Sequence, residues 1–256
     1  MVTKPEIQDV MNALEALALW YQAPMRAEIR KQLIPALKPG QVLVRSLFGA
    51  LSRGTESLVW AGLVPQAEYQ RMRAPFMEGE FPFPVKYGYS SVGRIENGPQ
   101  EMVGKLVFSL SPHQTALALD PGSFFVLPSD VPPERAVLAA NMETALNAVW
   151  DGAPGPADRI VVVGGGVVGM LVAYLCGHLP GADVTVVDIN PDRSAIANRL
   201  GVKFSDPAGA PKECDLVFHC SGNPSGLDTA LSLAGEEATV LEMSWYGDQA
   251  VASRLG

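Results

Sequence analysis

The chain has 256 residues, of which 48% are hydrophobic and 18% are charged, and its formal net charge at pH 7 is -8. This length allows one large domain or two modest ones with a substantial core. The negative charge argues against a nucleic-acid-binding or anionic-membrane surface, because both need clustered Lys and Arg. We therefore expect no nucleic-acid partner and no membrane partner.

Cysteine usage and the N-terminal residues bear on the cellular compartment. The three cysteines, Cys176, Cys214 and Cys220, lie in the second half and form no CxxC pair. Such usage is typical of buried thiols in a reducing compartment. The N-terminus carries Glu6 and Asp9 and lacks the basic-then-apolar pattern of a signal peptide. We expect a cytoplasmic protein.

The first half of the chain is predicted to be a short helix followed by many short strands. Five apolar residues recur at helical spacing near the N-terminus: Ile7, Val10, Met11, Leu14 and Leu17. This spacing predicts the short helix. From about Leu19 to Pro128 the sequence breaks into β-rich pieces such as QVLVRSLFG and KLVFSL, separated by Pro and Gly. That pattern predicts a sandwich or a partly open barrel.

The second half alternates between helical and strand patterns. A helix is predicted after Ser129 or Asp130, either of which would cap it. Strands and helices then alternate, which predicts a parallel sheet wound with helices. We therefore assign residues 1–130 to a β-rich domain and residues 131–256 to a nucleotide-binding domain. Only five strands are predicted, so the sheet is expected to lack the last strand of the 3-2-1-4-5-6 order.

One uncharged run has the length of a membrane span. Residues 160–179 read IVVVGGGVVGMLVAYLCGHL, and about 20 apolar residues suffice to cross a bilayer. Three adjacent glycines would weaken a continuous helix by about 1 kcal/mol each relative to alanine. We therefore interpret the run as a strand followed by a helix.

A glycine motif lies at the junction of that strand and that helix. Gly164, Gly166 and Gly169 form G-x-G-x-x-G. The first glycine permits a tight turn, the second lets a pyrophosphate approach the backbone, and the third lets the helix pack on the strand. The first turn, with Val167 and Val168, would offer free amides to phosphates. We interpret the motif as a dinucleotide site, and a glycine-rich turn without a ligand is the alternative.

An acidic residue follows the next predicted strand. Asp188 lies 19 positions after Gly169. A carboxylate there accepts hydrogen bonds from both ribose hydroxyls and repels a 2′-phosphate, so the sequence favours NAD over NADP. Arg193 follows it, and Ser221 and Gly222 end the fourth strand, whose carboxyl end faces the ligand crevice. These three residues are further candidate cofactor contacts.

The chain resembles the medium-chain dehydrogenase/reductase family over about residues 17–250. The resemblance rests on GQVLVRSLFGALSRGTESLVWAG, VKYGYSSVGRI, AANMETALNAVW and TVVDINPDR. It implies an α/β protein with a GroES-like N-terminal domain and a Rossmann doubly wound parallel sheet, a nicotinamide cofactor and a small-molecule substrate. RGTE followed by WAG and a Gly-Tyr strand is most similar to the bacteriochlorophyllide hydroxyethyl dehydrogenase subgroup.

The resemblance also implies where a catalytic zinc would lie, and this chain lacks the family's ligands. Arg53 replaces the first ligand, a cysteine, Tyr89 replaces a histidine, and Ala140 occupies the third position. The glutamate that follows the histidine in the family is Ser90 here. No cysteine precedes Cys176, so the structural zinc loop has no counterpart. Because zinc needs three or four N, S or O ligands, we expect no metal site.

Another group must then stabilise the substrate oxygen as hydride arrives. Tyr89 and Arg53 occupy vacated ligand positions, and we assign them as candidate catalytic residues. Glu143 is the third candidate, as a proton relay or as a salt-bridge partner of Arg53. The resemblance places its neighbour Thr144 on the cofactor side. The alternative is that Tyr89 and Arg53 only fill the vacated space, with Glu56 or Glu143 as ion-pair partner.

These observations predict a zinc-independent, NAD(H)-preferring oxidoreductase. It would interconvert a secondary alcohol and a ketone, or reduce an activated double bond. His113, in a loop of the β-rich half, is a candidate substrate contact. A non-catalytic dinucleotide-binding protein on a dehydrogenase scaffold is the alternative. The resemblance implies a homodimer built through the sixth strand. Because only five strands are predicted, a homodimer stays one possibility.

Overall fold

A computed structural model describes residues 14–246 and 251–252. The described chain divides into two compact units, one that ends at Ala140 and one that begins at Asn141. The boundary predicted from sequence, between residues 130 and 131, precedes this division.

The first sheet of the N-terminal unit is antiparallel and has four strands. They are β1 (Leu14–Ala23), β2 (Arg26–Ile34), β4 (Glu78–Gly79) and β5 (Val85–Lys86). Their order is β2-β1-β5-β4. The long β1–β2 hairpin runs in register from the Leu14–Ile34 pair to the Ala23–Arg26 pair, with one irregularity near its turn.

The predicted N-terminal helix is wrong where the structure describes it. Leu14 and Leu17 lie in β1, and residues 7–13 lie outside the described part of the chain. Ala16 and Ala18 are both buried, which is the two-residue period of a strand with one covered face. Pairing with β2 supplies the backbone hydrogen bonds, so tertiary context overrides the helical spacing.

A second antiparallel sheet completes the β-rich part of this unit. Its strands are β3 (Val42–Gly49), β6 (Ser91–Asn97), β7 (Leu106–Ser109), β8 (Ala116–Leu119) and β9 (Phe125–Val126). Their order is β8-β3-β6-β7-β9. Hydrophobic side chains from β3, β6, β7 and β8 form one buried cluster on this sheet. The sheet carries the segment that contains Tyr89, which ends directly before β6.

Four helical segments lie within residues 14–152. Helix α1 spans Arg53–Ala61, a 3-10 turn spans Gln66–Glu68, α2 spans Pro133–Ala136 and α3 spans Ala139–Gly152. The sequence predicted one helix capped by Ser129 or Asp130, whereas the structure has two. Pro132 is the N-cap of α2, with Pro133 as its first residue, because proline is accepted only at a helix start.

The second unit is built on a five-stranded parallel sheet. Its strands are β10 (Arg159–Val163), β11 (Asp183–Val187), β12 (Lys203–Ser205), β13 (Cys214–His219) and β14 (Ala234–Glu242). Their order is β12-β11-β10-β13-β14, which corresponds to 3-2-1-4-5 in chain order. Helices α4 (Val167–Cys176), α5 (Ser194–Arg199) and α6 (Pro224–Leu233) connect them. The described residues thus form a Rossmann-like sheet of five strands.

Hydrophobic clusters cover both faces of this sheet. Ile160, Val162 and Phe218 belong to one cluster with helix α4. Val161 and Val217 belong to the other, with helix α6. Burial on both faces explains the uninterrupted apolar strands and fixes the carboxyl ends of β10 and β13 side by side. Residues 160–179 divide into β10 and α4, and within the described residues no helix is long and apolar enough to span a membrane.

The three cysteines are free thiols. Cys176 and Cys214 are buried and Cys220 is half-buried. Burial raises the pKa of Cys176 to about 11 and that of Cys220 to about 12. Because the thiolate is the reactive form, these thiols are structural at neutral pH.

Two isoleucines of the second unit test this description of the core. Ile160 is fully buried, whereas Ile189 is 87% exposed. Ile160→Ala should lower the free energy of unfolding by about 2–5 kcal/mol, and Ile189→Ala should change it by no more than about 0.5 kcal/mol. Urea denaturation followed by circular dichroism measures both. Equal losses for the two variants would contradict the assigned packing.

Candidate functional site

The turn between β10 and α4 is sterically restricted to glycine at two positions. Gly164 has φ +108°, and a Cβ added there would lie 2.7 Å from the Ser221 amide nitrogen. A Cβ added to Gly169 would lie 2.0 Å from the Gly164 carbonyl oxygen. Real Cβ atoms do not approach backbone this closely, so helix and strand meet here only because neither residue has a side chain.

The middle of the turn is open. Gly166 is the N-cap of α4, and a Cβ added there meets nothing within 4 Å. Val167 is 52% exposed, and Val168 is half-buried. Amides in the first turn of a helix have no partner within the helix, so they are available to an anion. This open cradle at a helix N-terminus fits a diphosphate group.

Asp188 is held beside this turn by backbone amides. The Gly165 amide donates to Asp188 Oδ2 at 2.6 Å, and the Asn190 amide donates to Oδ1 at 2.8 Å. A carboxylate has about four acceptor positions, so Asp188 retains capacity for ribose hydroxyls. Arg193 lies on the same side, since a Cβ added to Gly165 would be 3.3 Å from Arg193 Cβ. The fold therefore brings the glycine turn, Asp188 and Arg193 together.

Of the other predicted cofactor residues, Ser221 and Gly222 lie next to the glycine turn, whereas Thr144 lies on α3. Ser221 adjoins Gly164, and Gly222, at φ +66°, donates its amide to Ser244 Oγ at 3.0 Å. Thr144 and Glu143 are exposed on α3. The structure thus places Ser221 and Gly222 at the carboxyl end of β13, next to the turn, and the roles of Thr144 and Glu143 stay predictions.

A buried histidine connects Ser221 to the next strand, which the sequence did not reveal. His219 is fully buried. Its Nδ1 lies 2.9 and 2.8 Å from the two carboxylate oxygens of Glu242, and its Nε2 lies 2.6 Å from Ser221 Oγ. His219 and Glu242 are register partners in β13 and β14. The sequence could indicate only that His219 and Glu242 each lie at the end of a strand. The strand order shows in addition that these two strands are neighbours.

Glu242 accepts several hydrogen bonds. The Ser244 amide donates to Oε1 at 2.6 Å and the Tyr246 hydroxyl donates to Oε2 at 2.9 Å. Partial burial alone would raise the pKa of Glu242, but the bonds from His219, Ser244 and Tyr246 lower it below its usual value. Burial and the bond to Glu242 raise the pKa of Tyr246 to about 12. Glu242 is therefore an anion, and Tyr246 a donor, at neutral pH.

The N-terminal unit contains the residues that the sequence resemblance places at zinc-ligand positions. Arg53 is the first residue of α1 and is exposed. Tyr89 is half-buried, and its ring packs edge-on against Tyr87 with 6.0 Å between centroids. The hydroxyl of buried Ser90 donates to the Val137 carbonyl. Within the described residues, no group of three or more His, Cys, Asp or Glu could hold a metal ion.

A buried carboxylate organises the residues around these positions. Glu56, on α1, accepts from the Tyr21 hydroxyl at 3.0 Å and from the Ser52 amide at 2.8 Å. Glu56 Oε2 also lies 2.8 Å from His113 Nε2. In the described structure Glu56 therefore pairs with these three groups. The space-filling alternative named Glu56 as one possible ion-pair partner of Arg53, and the described residues do not form this pair. Burial, followed by the charge of Glu56, raises the pKa of Tyr21, which keeps its hydroxyl a donor.

His113 is packed between two glycines. A Cβ added to Gly88 would lie 2.8 Å from His113 Nε2, and one added to Gly49 would lie 3.5 Å from Nδ1. Gly88 directly precedes Tyr89. The sequence indicated His113 only as a substrate contact, and it did not reveal that Glu56, 57 positions away, orients the ring next to the Tyr89 segment.

An added methyl group should have different effects at Gly169, where backbone blocks it, and at Gly166, where the space is open. Gly169→Ala should destabilise the second unit by about 1–3 kcal/mol, because backbone must move to admit the Cβ. Gly166→Ala should cost no more than about 1 kcal/mol, the loss of a favourable N-cap residue. Thermal unfolding of the two variants measures the contrast. A smaller cost for Gly169→Ala than for Gly166→Ala would contradict the geometry of the turn.

Curated relatives match parts of the chain. An L-threonine 3-dehydrogenase from Mesorhizobium japonicum is 30% identical over 131 residues, 50% of this chain and 36% of that relative. A zinc-type alcohol dehydrogenase-like protein from Escherichia coli is 27% identical over 148 residues, 53% of this chain and 42% of that relative. The matches thus span less than half of the relatives' own length. No protein-family model matches the chain.

Solved structures match nearly the whole chain. L-idonate 5-dehydrogenase from Escherichia coli has a TM-score of 0.75 at 14% identity, over 93% of this chain and 78% of its own. A CAD from Helicobacter pylori complexed with NADP(H) has a TM-score of 0.73 at 14% identity, over 95% of this chain and 79% of its own. A short-chain alcohol dehydrogenase from Escherichia coli complexed with NADH has a TM-score of 0.71 at 18% identity, over 91% of this chain and 77% of its own.

These structures confirm the predicted fold class, a β-rich N-terminal domain followed by a Rossmann-like parallel sheet. The two sequence relatives are a threonine dehydrogenase and an alcohol dehydrogenase-like protein. The chain is thus similar in sequence to dehydrogenases over about half of its length, and similar in fold to solved dehydrogenase structures over most of it.

Proposed function

We propose that the protein is an NAD(H)-preferring oxidoreductase of the medium-chain type that works without a catalytic zinc. The observation that carries the proposal is the open cradle at Gly166, with Asp188 held beside it by the Gly165 amide. Such a cradle binds a diphosphate, and a carboxylate at that distance along the chain binds the adenosine ribose. The known nicotinamide complexes with this fold support the same cofactor here.

The preference for NAD rests on the charge of Asp188. Its two oxygens are fixed by backbone amides, so the carboxylate cannot swing away from an added 2′-phosphate without breaking those bonds. Arg193 lies on the same side of the turn and supplies the opposite charge. We propose that the charge of the fixed carboxylate outweighs that of Arg193, because like charges at hydrogen-bond range repel each other strongly.

The proposed chemistry needs no metal. A bound nicotinamide supplies or takes up the hydride. Tyr89 donates its phenolic proton to the developing alkoxide of the substrate, and Arg53 stabilises the negative charge that builds on that oxygen. Glu143 is the proposed relay that returns the proton. Support for zinc independence comes from Arg53, Tyr89 and Ala140 at the ligand positions, although zinc-type relatives occur.

The substrate class is a small secondary alcohol, a ketone or an activated double bond. We place the reaction in the cytoplasm and propose a homodimer as the working form. The similarity of RGTE and of the Gly-Tyr strand to the bacteriochlorophyllide hydroxyethyl dehydrogenases makes that subgroup the first source of test substrates. Cofactor binding without turnover on any of them would instead support a non-catalytic dinucleotide-binding protein.

Calorimetric titration with NADH and NADPH tests the cofactor assignment. NADH should bind at least about tenfold more tightly than NADPH, a difference of about 1.4 kcal/mol. Asp188→Asn should remove most of that preference, because it removes the negative charge and keeps the shape. Asp192→Asn, a change of the same kind at an exposed neighbour, is the control and should keep the preference. A preference for NADPH in the unmodified protein would refute the assignment.

Tyr89→Phe tests the proposed proton donor. The variant should lose about 10²–10⁴-fold in turnover and keep its affinity for NADH, with rates read from NADH absorbance. Tyr87→Phe is the matched control, since the Tyr87 hydroxyl donates to the Met72 carbonyl and is already committed. Turnover unchanged in Tyr89→Phe, or equally reduced in both variants, would remove Tyr89 from the mechanism.

A further inference from the structure

Three side chains form a line at the carboxyl ends of β13 and β14. Glu242 contacts Nδ1 of His219, and Nε2 of His219 contacts Ser221 Oγ. His219 is fully buried, whereas Ser221 is exposed. The line therefore runs from Glu242, which is exposed at the strand end, through the buried His219 to the exposed hydroxyl of Ser221. The proposed hydride chemistry does not use His219 or Glu242.

The hydrogen-bond directions along this line follow from what each group can donate. The Glu242 carboxylate only accepts, so Nδ1 of His219 carries the hydrogen. The Tyr246 hydroxyl lies 3.2 Å from Nδ1 and donates its hydrogen to the same carboxylate at 2.9 Å, so towards Nδ1 it can only accept. In the neutral ring Nε2 is then an acceptor, and the Ser221 hydroxyl donates to it. The lone pairs of Ser221 Oγ are left for other donors, one of which is the Asn223 amide at 3.3 Å.

The backbone of helix α6 protects the bond between Ser221 and His219. A Cβ added to Gly226 would lie 2.1 Å from Ser221 Oγ and 2.7 Å from His219 Nε2. Serine, histidine and a carboxylate also form hydrolytic triads, which need free amides to hold an oxyanion. The two amides after Ser221 are already used, by Ser244 Oγ and by Ser221 itself. This geometry favours an oriented hydroxyl over a nucleophile.

The strand order indicates what Ser221 faces. β10 lies between β11, which leads to Asp188, and β13, which leads to Ser221. The two halves of a dinucleotide bind on either side of the central strand in a doubly wound fold. With the adenosine half assigned to the Asp188 side, the nicotinamide half lies on the Ser221 side.

We propose that His219 and Glu242 are positioning residues that fix Ser221 as a hydrogen-bond acceptor for a hydroxyl or amide donor in the nicotinamide half of the cofactor. The inference rests on the proposed function, since it requires that the cofactor binds. It adds to the expected Ser221 contact a hydrogen-bond direction, the half of the cofactor that is bound, and two residues, the buried His219 and the exposed Glu242, that set the direction.

NADH and ADP are the probes that test the inference by calorimetry. ADP shares the adenosine and diphosphate groups of NADH and lacks the nicotinamide riboside. Ser221→Ala should weaken NADH binding about threefold to tenfold, the usual effect of one neutral hydrogen bond, and leave ADP binding unchanged. Glu242→Gln should also weaken NADH binding and leave ADP binding unchanged. The Gln side-chain amide can donate to Nδ1 of His219, which puts the ring hydrogen on Nε2. Ser221 would then accept from Nε2 instead of donating to it.

Two further variants separate positioning from general structural damage. Glu242→Gln added to Ser221→Ala should cause no additional loss of NADH affinity, since both act through one hydroxyl. Tyr246→Phe removes a neighbouring hydroxyl without changing the His219 tautomer and should leave NADH affinity unchanged. Nitrogen NMR of the imidazoles, of which the chain has three, should show the Nδ1–H form of His219 in the unmodified protein.

The outcomes are distinguishable. Equal NADH affinity in Ser221→Ala and the unmodified protein overturns the inference and leaves the proposed function standing. Equal loss of NADH and ADP affinity also overturns it, because the effect would then be structural. If Glu242→Gln fails to fold, Ser221→Ala and the NMR tautomer decide alone, and an Nε2–H form overturns the inference. Failure of the unmodified protein to bind either probe refutes the proposed function and the inference together.

Discussion

The second unit depends on one close approach, that of helix α4 to the strand that precedes it. With 2.0 Å between a hypothetical Gly169 Cβ and the Gly164 carbonyl oxygen, any side chain at residue 169 would push the helix off the sheet. The contact sets the direction of α4 and leaves its first turn open. The Gly165 amide, positioned by the same turn, then holds Asp188, so one steric constraint arranges both the proposed phosphate site and the ribose site.

The N-terminal unit is organised differently, around a buried charge. Glu56 is 3% exposed, and such a group is stable only when its acceptor positions are filled. Tyr21, Ser52 and His113 fill them from a strand, a helix N-terminus and a loop. This arrangement ties three segments together beside Tyr89. It also surrounds this segment with fixed polar groups, which a solely apolar filling would lack.

Local patterns predicted most of the second unit and part of the first. The glycine turn, Asp188 and the five parallel strands follow from short-range spacing, because each strand–turn–helix step is contiguous in sequence. The N-terminal helix was wrong, since spacing at Leu14 and Leu17 carries no information about pairing with β2. His113 lies 57 positions from its partner Glu56, and Glu242 lies 23 positions from its partner His219. Such contacts depend on strand order and loop placement, which one sequence does not specify.

The amide bond from Gly165 to Asp188 has a consequence for coenzyme engineering. Because a carboxylate repels a 2′-phosphate, a variant meant to accept NADP would replace Asp188 with a small neutral residue. Here that carboxylate is also the acceptor for a turn amide at 2.6 Å, so truncating it would release the backbone of the phosphate cradle as well. The proposed preference for NAD and the rigidity of the turn would therefore depend on the same side chain. A successful switch in this scaffold requires a replacement that still accepts a hydrogen bond from residue 165.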